Sequence, residues 1–287
     1  MMTSHAIHQV FVAGSGQMGQ GIAQVIAGAD LQVVLYDVAA AALQSAVEKM
    51  RWSLDKLHSK GRIAETADTV LSRVTTTTDL SLAKTCDLVI EAIPEVETLK
   101  QALFRQLDEI TPSEVIFASN TSAIRISDLA SATQRGDRFC GLHFFNPVPV
   151  MPLVEVVRGE LTSESTLLSV TTFAERIGKQ PVQVQGDQAG FLVNRILGAA
   201  MIEAIRILEA GQASAAEIDK AMRLGCGWKM GPLETADLAG LDVVMHMCDV
   251  MQQGNIDQVF RPPASLRERV ERGELGRKTG RGFYGYD

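Results

Sequence analysis

A glycine-rich loop between an apolar strand and a helix most constrains what this chain can fold into. The predicted strand Ile7–Ala13 runs into the sequence AGSGQMGQGIA, and a helix over Gln17–Ala29 is predicted to follow. In such a Gly-x-Gly-x-x-Gly pattern, the first glycine permits a tight turn, the second leaves room for an anion, and the third lets the helix pack closely on the strand. The position between strand and helix favours a dinucleotide-binding loop over a purely structural cluster of turn glycines.

An acidic residue after the second strand indicates which dinucleotide the loop would bind. The strand Gln32–Tyr36 is followed by Asp37, 18 positions beyond Gly19. A carboxylate there can accept hydrogen bonds from the ribose hydroxyls and would repel a 2′-phosphate, and no arginine follows it. We therefore expect NAD rather than NADP, bound by Asp37 and by the loop residues Gly14, Gly16, Gln17, Met18 and Gly19.

Short apolar runs alternate with helical patterns as far as residue 187. The runs are almost continuous in Val, Ile and Leu, which is typical of strands with both faces covered by helices. The chain is therefore predicted to form a Rossmann-type α/β domain with a doubly wound, mostly parallel sheet. The predicted strands are Ile7–Ala13, Gln32–Tyr36, Asp87–Ala92, Val115–Ser119, Arg138–Phe144, Leu153–Val157 and Pro181–Val184; the predicted helices are Gln17–Ala29, Ala39–Ser59 and Glu97–Glu109.

The character of the sequence changes around GDQAG, at residues 186–190. No convincing strand follows, and helical patterns cover most of the remaining chain. We expect a boundary near residue 187, with a dinucleotide-binding domain over 1–187 and an all-helical C-terminal domain over 188–287. The predicted helices there are Phe191–Glu209, Ala215–Leu224, Pro232–Met251 and Ser265–Arg272.

Composition and charge exclude several classes of function. The formal net charge is -7 and the pI is near 5.3, which argues against a partner nucleic acid or an anionic membrane. The four cysteines are scattered without a zinc-ligand or disulfide pattern, so a metal site is not expected and a reducing, cytoplasmic location is. Neither a signal-peptide pattern nor an apolar run long enough to span a membrane is recognisable.

The stretch GLHFFNPVPVMPLVEVV places one histidine and one glutamate among apolar residues. His143 and Glu155 each lie six positions from Pro149, so their side chains can meet if the second strand folds back along the first. Glu155 would then fix one imidazole nitrogen and the other would serve as a base. A longer crossover between the strands, or a core histidine bonded to a carbonyl, is the alternative.

Other polar residues lie where parallel strands end, which is where such sheets bind ligands. Glu91 and Glu95 follow one strand; Glu95 either contacts a cofactor or stabilises the start of a helix. The sequence SNTS at residues 119–122 either faces a substrate or caps the next helix. Asn194 lies in a highly apolar helix, where it either serves the site or bonds to a neighbouring helix.

Eight motifs run in order along nearly the whole chain: VAGSGQMGQGIA, EAIPE, FASNTS, GLHFFNPVPVMPLVEVV, GFLVNRI, MGPLE, GLD and GRKTGRGFY. They resemble the L-3-hydroxyacyl-CoA dehydrogenases, especially the stand-alone 3-hydroxybutyryl-CoA dehydrogenases. The resemblance implies an NAD domain, a helical domain through which two chains form a homodimer, and an acyl-CoA substrate. One departure is Ala189-Gly190-Phe191, where many relatives have Pro-Gly-Phe.

The resemblance also implies roles for individual residues. His143 corresponds to the catalytic base and Glu155 to its partner, while Ser122 and Asn194 correspond to substrate-contacting residues. The positions matching NAD contacts are Asp37, Glu95, Lys100, Ser122, Asn146 and Lys278. The positions matching coenzyme A contacts are Ser53, Lys60 and Ser122, with Lys56 and Arg62 adding positive charge nearby. A solvated helix face is the alternative for these basic residues.

The expected reaction is the reversible, NAD-dependent oxidation of an (S)-3-hydroxyacyl-CoA, with 3-hydroxybutyryl-CoA as the expected substrate and the His–Glu pair as general acid and base. Two alternatives stay open. A related dehydrogenase would act on a free hydroxy or sugar acid without a CoA handle. A protein that keeps the fold without the chemistry would bind NAD and catalyse nothing.

Overall fold

The computed structural model describes residues 6–253 and 258–286. The chain divides into two compact units, Met1–Asp187 and Gln188–Asp287. The first unit is an α/β structure built on a single sheet, and the second is helical. The predicted combination of a Rossmann-type domain with a helical C-terminal domain is confirmed.

The sheet of the first unit has eight strands in the order β3-β2-β1-β4-β5-β6-β7-β8. Neighbouring strands are parallel, except for the antiparallel pair β6 and β7. The strand order reverses between β1 and β4, so the carboxyl ends of these strands border a crevice of the kind that binds dinucleotides. The strands are β1 Gln9–Ala13, β2 Gln32–Tyr36, β3 Val74–Thr77, β4 Leu88–Glu91, β5 Ile116–Ser119, β6 Phe139–Phe144, β7 Leu153–Arg158 and β8 Gln180–Val184.

Eleven α-helices occur within the described residues. Those of the first unit are α1 Gln17–Gly28, α2 Ala40–Ser59, α3 Ala67–Leu71, α4 Glu97–Ile110, α5 Ile126–Ala130 and α6 Glu164–Arg176. Those of the second unit are α7 Val193–Glu209, α8 Ala215–Cys226, α9 Pro232–Ala239, α10 Leu241–Gln253 and α11 Ala264–Glu271. Short 3-10 turns cover Leu80–Thr85, Gly136–Arg138, Gln258–Phe260 and Arg277–Thr279.

Burial of the central strands explains why their sequences read as continuous apolar runs. Every residue of β4, β5 and β6 is buried, because helices cover both faces of the sheet. The core on one face includes Val10, Ile22 and Leu142. On the other face, Phe104 of α4 packs its ring 4.6 Å from that of Phe139. The layered arrangement expected from the sequence is therefore present.

Four elements of the first unit escaped sequence analysis. Strand β3 reads VTTT and is only partly buried at the edge of the sheet, so it lacks the apolar signal of the central strands. Helices α3 and α5 have five residues each, too few to show a helical period. Helix α6 carries a recognisable N-cap, since Ser163 accepts a hydrogen bond from the Thr166 amide.

The helix predicted over Pro232–Met251 is wrong as a single element. It consists of two helices, α9 and α10, separated by Gly240 at φ 102°. A left-handed backbone of this kind favours glycine and cannot continue an α-helix. Helix α7 also begins at Val193 rather than Phe191, because Phe191 adopts a positive φ of 46°.

Within residues 6–253 and 258–286, no helix is both long enough and apolar enough to cross a bilayer.

Candidate active site

The glycine loop leaves open space beside Gly16. A Cβ atom on Gly14 would lie 2.6 Å from the Ala92 carbonyl oxygen, and one on Gly19 would lie 1.8 Å from the Gly14 oxygen, so both positions require glycine. No atom lies within 4 Å of a Cβ built on Gly16, which is the N-cap residue of α1. A pyrophosphate fits this cradle, because the first amides of a helix bind anions well.

Asp37 follows β2 and braces the glycine loop. One carboxylate oxygen accepts hydrogen bonds from the Ser15 amide at 2.9 Å and the Ser15 hydroxyl at 2.7 Å, and the other accepts from the Ala39 amide at 3.1 Å. Partial burial acts to raise the pKa of Asp37, but the hydrogen bonds from Ser15 and Ala39 outweigh it and hold the pKa below 3.8. Asp37 is therefore a carboxylate at neutral pH, with lone pairs left for a ribose hydroxyl.

His143 and Glu155 lie directly opposite each other on β6 and β7. The Nδ1 atom of His143 is 2.7 Å from Oε2 of Glu155, with His143 6% exposed and Glu155 fully buried. Strand β7 therefore folds back along β6, which is the arrangement that lets the two side chains meet. The alternative of a longer crossover between the two strands is excluded. Because a carboxylate only accepts, Nδ1 carries the hydrogen of this bond and Nε2 is the basic nitrogen of the neutral ring.

The loop between His143 and Glu155 is held by a lysine that the sequence did not single out. The ammonium of Lys179 donates to the carbonyls of Val148 at 2.6 Å and Met151 at 2.8 Å, and burial lowers the pKa of Lys179. Asn146 lies in this loop and accepts a hydrogen bond from the Gln17 side chain at 3.0 Å. Two predicted cofactor residues, Gln17 and Asn146, are thus neighbours.

The SNTS segment does not cap the following helix. Helix α5 begins at Ile126, and its N-cap is Arg125. Asn120 instead accepts a hydrogen bond from the Phe144 amide at 2.9 Å, beside His143. The Ser122 amide donates to Glu95 at 2.9 Å. The segment therefore links the carboxyl ends of β4, β5 and β6 at the edge of the sheet that also carries the glycine loop.

Glu95 serves this segment more than the start of α4. Its carboxylate accepts hydrogen bonds from the Thr121 hydroxyl and the Ser122 amide, and its second oxygen lies 3.1 Å from the Lys100 ammonium. Partial burial acts to raise the pKa of Glu95, but Lys100 and Thr121 outweigh it and hold the pKa below 4.5. Lys100 also contacts the buried Glu91 at 2.6 Å, so three predicted or candidate residues form one ion cluster.

The second unit carries two predicted site residues. Asn194 is the second residue of α7 and is partly exposed, rather than enclosed in an apolar helix. Lys278 lies in a 3-10 turn, and its ammonium contacts both carboxylate oxygens of Asp242 at 2.5 and 2.7 Å. The Lys278 hydrogen bond holds the pKa of Asp242 below 3.8. The absence of a side chain at Gly240 leaves room for this pair, since a Cβ atom at that position would lie 2.9 Å from Nζ of Lys278.

Two buried aspartates explain the C-terminal motifs MGPLE and GRGFY. Asp219 accepts hydrogen bonds from the Leu233 and Glu234 amides at the start of α9, and from the Tyr284 hydroxyl. Asp237 accepts from the Phe283 and Tyr284 amides, which anchors the segment that follows Lys278. Sequence analysis did not single out Asp219 or Asp237. The signal that could have revealed them is an aspartate at an inward-facing position of a predicted helix.

The predicted coenzyme A residues lie in and directly after the last turns of α2. Ser53 is in the helix and half-buried, and Lys60 is the exposed C-cap residue that follows Ser59. The Lys56 ammonium stacks 4.6 Å above the Trp52 ring, and Trp52 is 65% exposed. Among the described residues, no group of three or more His, Cys, Asp or Glu side chains is arranged to hold a metal ion.

The family of the chain follows from comparison with known proteins. Residues 9–188 match the NAD-binding domain of 3-hydroxyacyl-CoA dehydrogenase, and residues 190–286 match the C-terminal domain of the same enzyme. The chain belongs to the 3-hydroxyacyl-CoA dehydrogenase family. This membership confirms that the chain is a dehydrogenase and that its cofactor is NAD.

Individual relatives cover nearly the whole chain. A probable 3-hydroxybutyryl-CoA dehydrogenase from Deinococcus radiodurans is 46% identical to this chain. The match covers 96% of this chain and 99% of the relative's sequence. The crystal structure of (S)-3-hydroxybutyryl-CoA dehydrogenase PaaH1 from Ralstonia eutropha is 44% identical, covers 98% of this chain and all of its own, and has a TM-score of 0.94. A diketoreductase that acts on dicarbonyl compounds is 33% identical over 98% of this chain and all of its own, with a TM-score of 0.86.

Proposed function

We propose that this dehydrogenase interconverts (S)-3-hydroxyacyl-CoA and 3-ketoacyl-CoA, with short acyl chains such as 3-hydroxybutyryl as its substrates. The observation that carries the proposal is the buried His143–Glu155 pair, with 2.7 Å between Nδ1 and the carboxylate. The pair lies at the carboxyl edge of the same sheet that presents the glycine loop. Relatives named 3-hydroxybutyryl-CoA dehydrogenase, at 42–46% identity over nearly the full chain, support the acyl-CoA substrate.

Oxidation of a secondary alcohol removes a proton from its oxygen and a hydrogen with two electrons from its carbon. His143 accepts the hydroxyl proton at Nε2, because Glu155 holds Nδ1. The Glu155 carboxylate keeps the ring in one tautomer and stabilises the imidazolium that forms. In the reverse direction the same imidazolium returns the proton to the developing alkoxide. When bound, NAD supplies the redox chemistry by accepting the hydrogen and electron pair.

The first unit holds most of the cofactor. The loop binds the pyrophosphate at the start of α1, with space for it beside Gly16. Asp37 accepts a hydrogen bond from the adenosine ribose. The residues assigned to NAD are Gly14, Gly16, Gln17, Met18, Gly19, Asp37, Glu95, Lys100, Ser122, Asn146 and Lys278.

The substrate is oriented by polar groups on separate elements. Ser122 and Asn194 hold the reacting oxygen or the thioester carbonyl, and excluding water around them strengthens these hydrogen bonds. Ser53 and Lys60 bind coenzyme A, with Lys56 and Arg62 adding positive charge on the same segment. The position of both residues near the C-terminal end of α2 and the exposure of Lys60 support this assignment.

The domain roles, the assembly and the location belong to the same proposal. Residues 1–187 form the NAD-binding domain, and residues 188–287 form a substrate domain through which two chains form a homodimer. Large apolar side chains exposed on the second unit support an interface, namely Ile196, Leu224, Leu238 and Val243 at 52–78% exposure. The four cysteines are free thiols, which supports a reducing compartment such as the cytoplasm.

Parallel assays with acetoacetyl-CoA and free acetoacetate, each with NADH, test the proposed substrate. We expect turnover of the thioester and a kcat/KM at least about 10² lower for the free acid, because the free acid lacks the CoA handle whose binding energy supports catalysis. Equal kcat/KM values would remove the CoA assignment. NADH binding without turnover of any 3-ketoacyl-CoA would leave a non-catalytic NAD-binding protein.

A second candidate is a reductase of free dicarbonyl compounds, which is favoured by the 33% identical diketoreductase of the same fold. It would use the same His143–Glu155 pair without a CoA site. Variants Ser53→Ala and Lys60→Ala separate the two functions. Under the CoA proposal they raise KM for acetoacetyl-CoA and leave KM for free dicarbonyls unchanged; under the second candidate neither KM changes.

A further inference from the structure

A buried ion pair lies at the point where the strand order of the sheet reverses. Glu91 is the last residue of β4, and its Cα is paired with that of Ala13, the last residue of β1. Glu91 is fully buried and Lys100 is 1% exposed, with 2.6 Å between Nζ and the Glu91 carboxylate. Since dinucleotides bind at this reversal, the pair lies directly behind the proposed cofactor crevice.

The same ammonium joins Glu91 to the substrate side of the site. Lys100 also contacts Glu95 at 3.1 Å. The other oxygen of Glu95 accepts hydrogen bonds from the Ser122 amide at 2.9 Å and the Ala123 amide at 3.3 Å. A continuous chain of ion pairs and hydrogen bonds therefore runs from Glu91 through Lys100 and Glu95 to the backbone of Ser122.

Hydrogen bonding fixes both ends of the Glu91–Lys100 pair. The three N–H groups of Lys100 face three acceptors: Glu91 at 2.6 Å, Glu95 at 3.1 Å and the Ile93 carbonyl at 3.3 Å. The Glu91 carboxylate accepts from Lys100, from the Ser119 hydroxyl at 2.5 Å and from the Ile93 amide at 2.8 Å. Burial raises the pKa of Glu91 and so opposes its charge, whereas the Lys100 ammonium, the Ser119 hydroxyl and the Ile93 amide stabilise the charged form. With an ammonium at 2.6 Å, we assign Glu91 as a carboxylate.

A purely structural role does not account for this cluster. A buried ion pair is often matched in stability by apolar side chains of similar volume, so stability alone gives little reason to keep one. Here two carboxylates share one ammonium, at the ligand-binding edge of the sheet rather than in its centre. Without the Glu91 charge, Glu95 would be the only counterion of Lys100. The Lys100 ammonium would then be less firmly placed, and so would the Glu95 carboxylate that it contacts.

We propose that Glu91 is a positioning residue for the dehydrogenase reaction: it holds the Lys100 ammonium, which holds Glu95 and thereby the backbone of Ser122. The inference rests on the proposed function, because Glu95, Lys100 and Ser122 are the residues assigned there to cofactor and substrate. Glu91 itself touches neither ligand, and its effect on catalysis passes through Lys100.

The test is Glu91→Gln, which keeps the shape and the acceptor oxygen but removes the charge. Thr111→Val is the matched control: Thr111 is also buried and directly follows α4, and its hydroxyl donates to the Leu107 carbonyl at 2.7 Å. We expect Glu91→Gln to lower kcat/KM for acetoacetyl-CoA by at least about tenfold and to weaken NADH binding at least about threefold, as expected when a charged hydrogen bond is lost. Thr111→Val changes both by less than about twofold.

Thermal unfolding separates positioning from folding. If both variants lower Tm by a similar amount and only Glu91→Gln loses activity and NADH affinity, the positioning role stands. If Glu91→Gln binds NADH and turns over substrate within about twofold of the unchanged protein, or if both variants lose activity in parallel with Tm, Glu91 has a structural role only.

A double-mutant cycle with Lys100→Met tests whether Glu91 acts through Lys100. We expect Glu91→Gln to have less than about a twofold further effect on NADH affinity in the Lys100→Met background, because coupled residues are not additive. Full additivity would overturn the inference. NADH affinity is measured by fluorescence in the absence of substrate, so this cycle tests the inference independently of turnover. If the wild-type protein reduces no 3-ketoacyl-CoA, that result rejects the proposed function and leaves the outcome of the cycle unaffected.

Discussion

His143 and Glu155 occupy paired positions on the two adjacent strands of the sheet that run in opposite directions. Twelve residues apart in sequence, they are joined by a 2.7 Å hydrogen bond in a buried environment. The antiparallel register of β6 and β7 places both side chains on the same face of the sheet, because directly opposed residues of such a pair point the same way. The bond orients the ring before any substrate binds.

The first prediction concerns the base. His143→Gln should lower kcat for acetoacetyl-CoA reduction by about 10²–10⁴, the contribution typical of a general acid–base group. NADH affinity should change by less than about twofold, because the ring is assigned to the substrate proton. Steady-state kinetics and NADH fluorescence titration measure the two effects. A loss below tenfold in a folded variant would place the base elsewhere.

The second prediction concerns the partner of the base. Glu155→Gln should lower kcat by at least about tenfold with little change in KM for NADH, because the ring loses the carboxylate that fixes its tautomer. The double variant His143→Gln/Glu155→Gln should lose no more activity than His143→Gln alone, since residues that act as a unit are not additive. Multiplied losses in the double variant would show that Glu155 acts independently of His143.

The third prediction concerns cofactor choice. Asp37→Asn should raise KM for NADH about tenfold, which corresponds to losing a charged hydrogen bond of about 1.5 kcal/mol to the ribose. The preference for NADH over NADPH should narrow, because the variant no longer repels a 2′-phosphate. Glu109→Gln, at an exposed position of α4, is the control and should change neither constant. An unaltered NADH/NADPH ratio in Asp37→Asn would remove Asp37 from the specificity argument.

The fourth prediction concerns acid stability. The pKa of Asp242 is held below 3.8 by Lys278, and that of Glu65 is held below 4.5 by Arg73. A carboxyl group with a lowered folded-state pKa stabilises the fold above its ordinary pKa, and this contribution is lost as the pH falls through the lowered value. Tm should therefore fall as the pH drops from about 5 to below about 3.5.

Paired variants assign that acid dependence to its source. Asp242→Asn and Glu65→Gln should each flatten the decline of Tm below pH 4.5 while leaving its shape above pH 6 unchanged. Calorimetry at a series of pH values measures both. A decline as steep in the two variants as in the unchanged protein would mean that other groups govern acid unfolding.

The sequence by itself determined the fold class, and it singled out the glycine loop and the two residues, His143 and Glu155, that meet on adjacent strands. Val/Ile/Leu runs with helices between them allow a doubly wound sheet and little else, and Gly14 and Gly19 stand where a Cβ would collide with backbone. These features are local, so periodicity and steric requirements reveal them. The break at Gly240 was missed because an isolated glycine in an apolar helical pattern is often tolerated.

Only the tertiary structure decided which polar residues meet. Three residues from two strands and a helix, Glu91, Lys100 and Ser119, converge on one buried cluster, although 28 positions separate Glu91 from Ser119. Lys179 bonds to carbonyls 28 and 31 positions before it. No sequence spacing predicts such contacts, because they depend on strand order and register, and these are set by how the whole sheet buries its apolar faces.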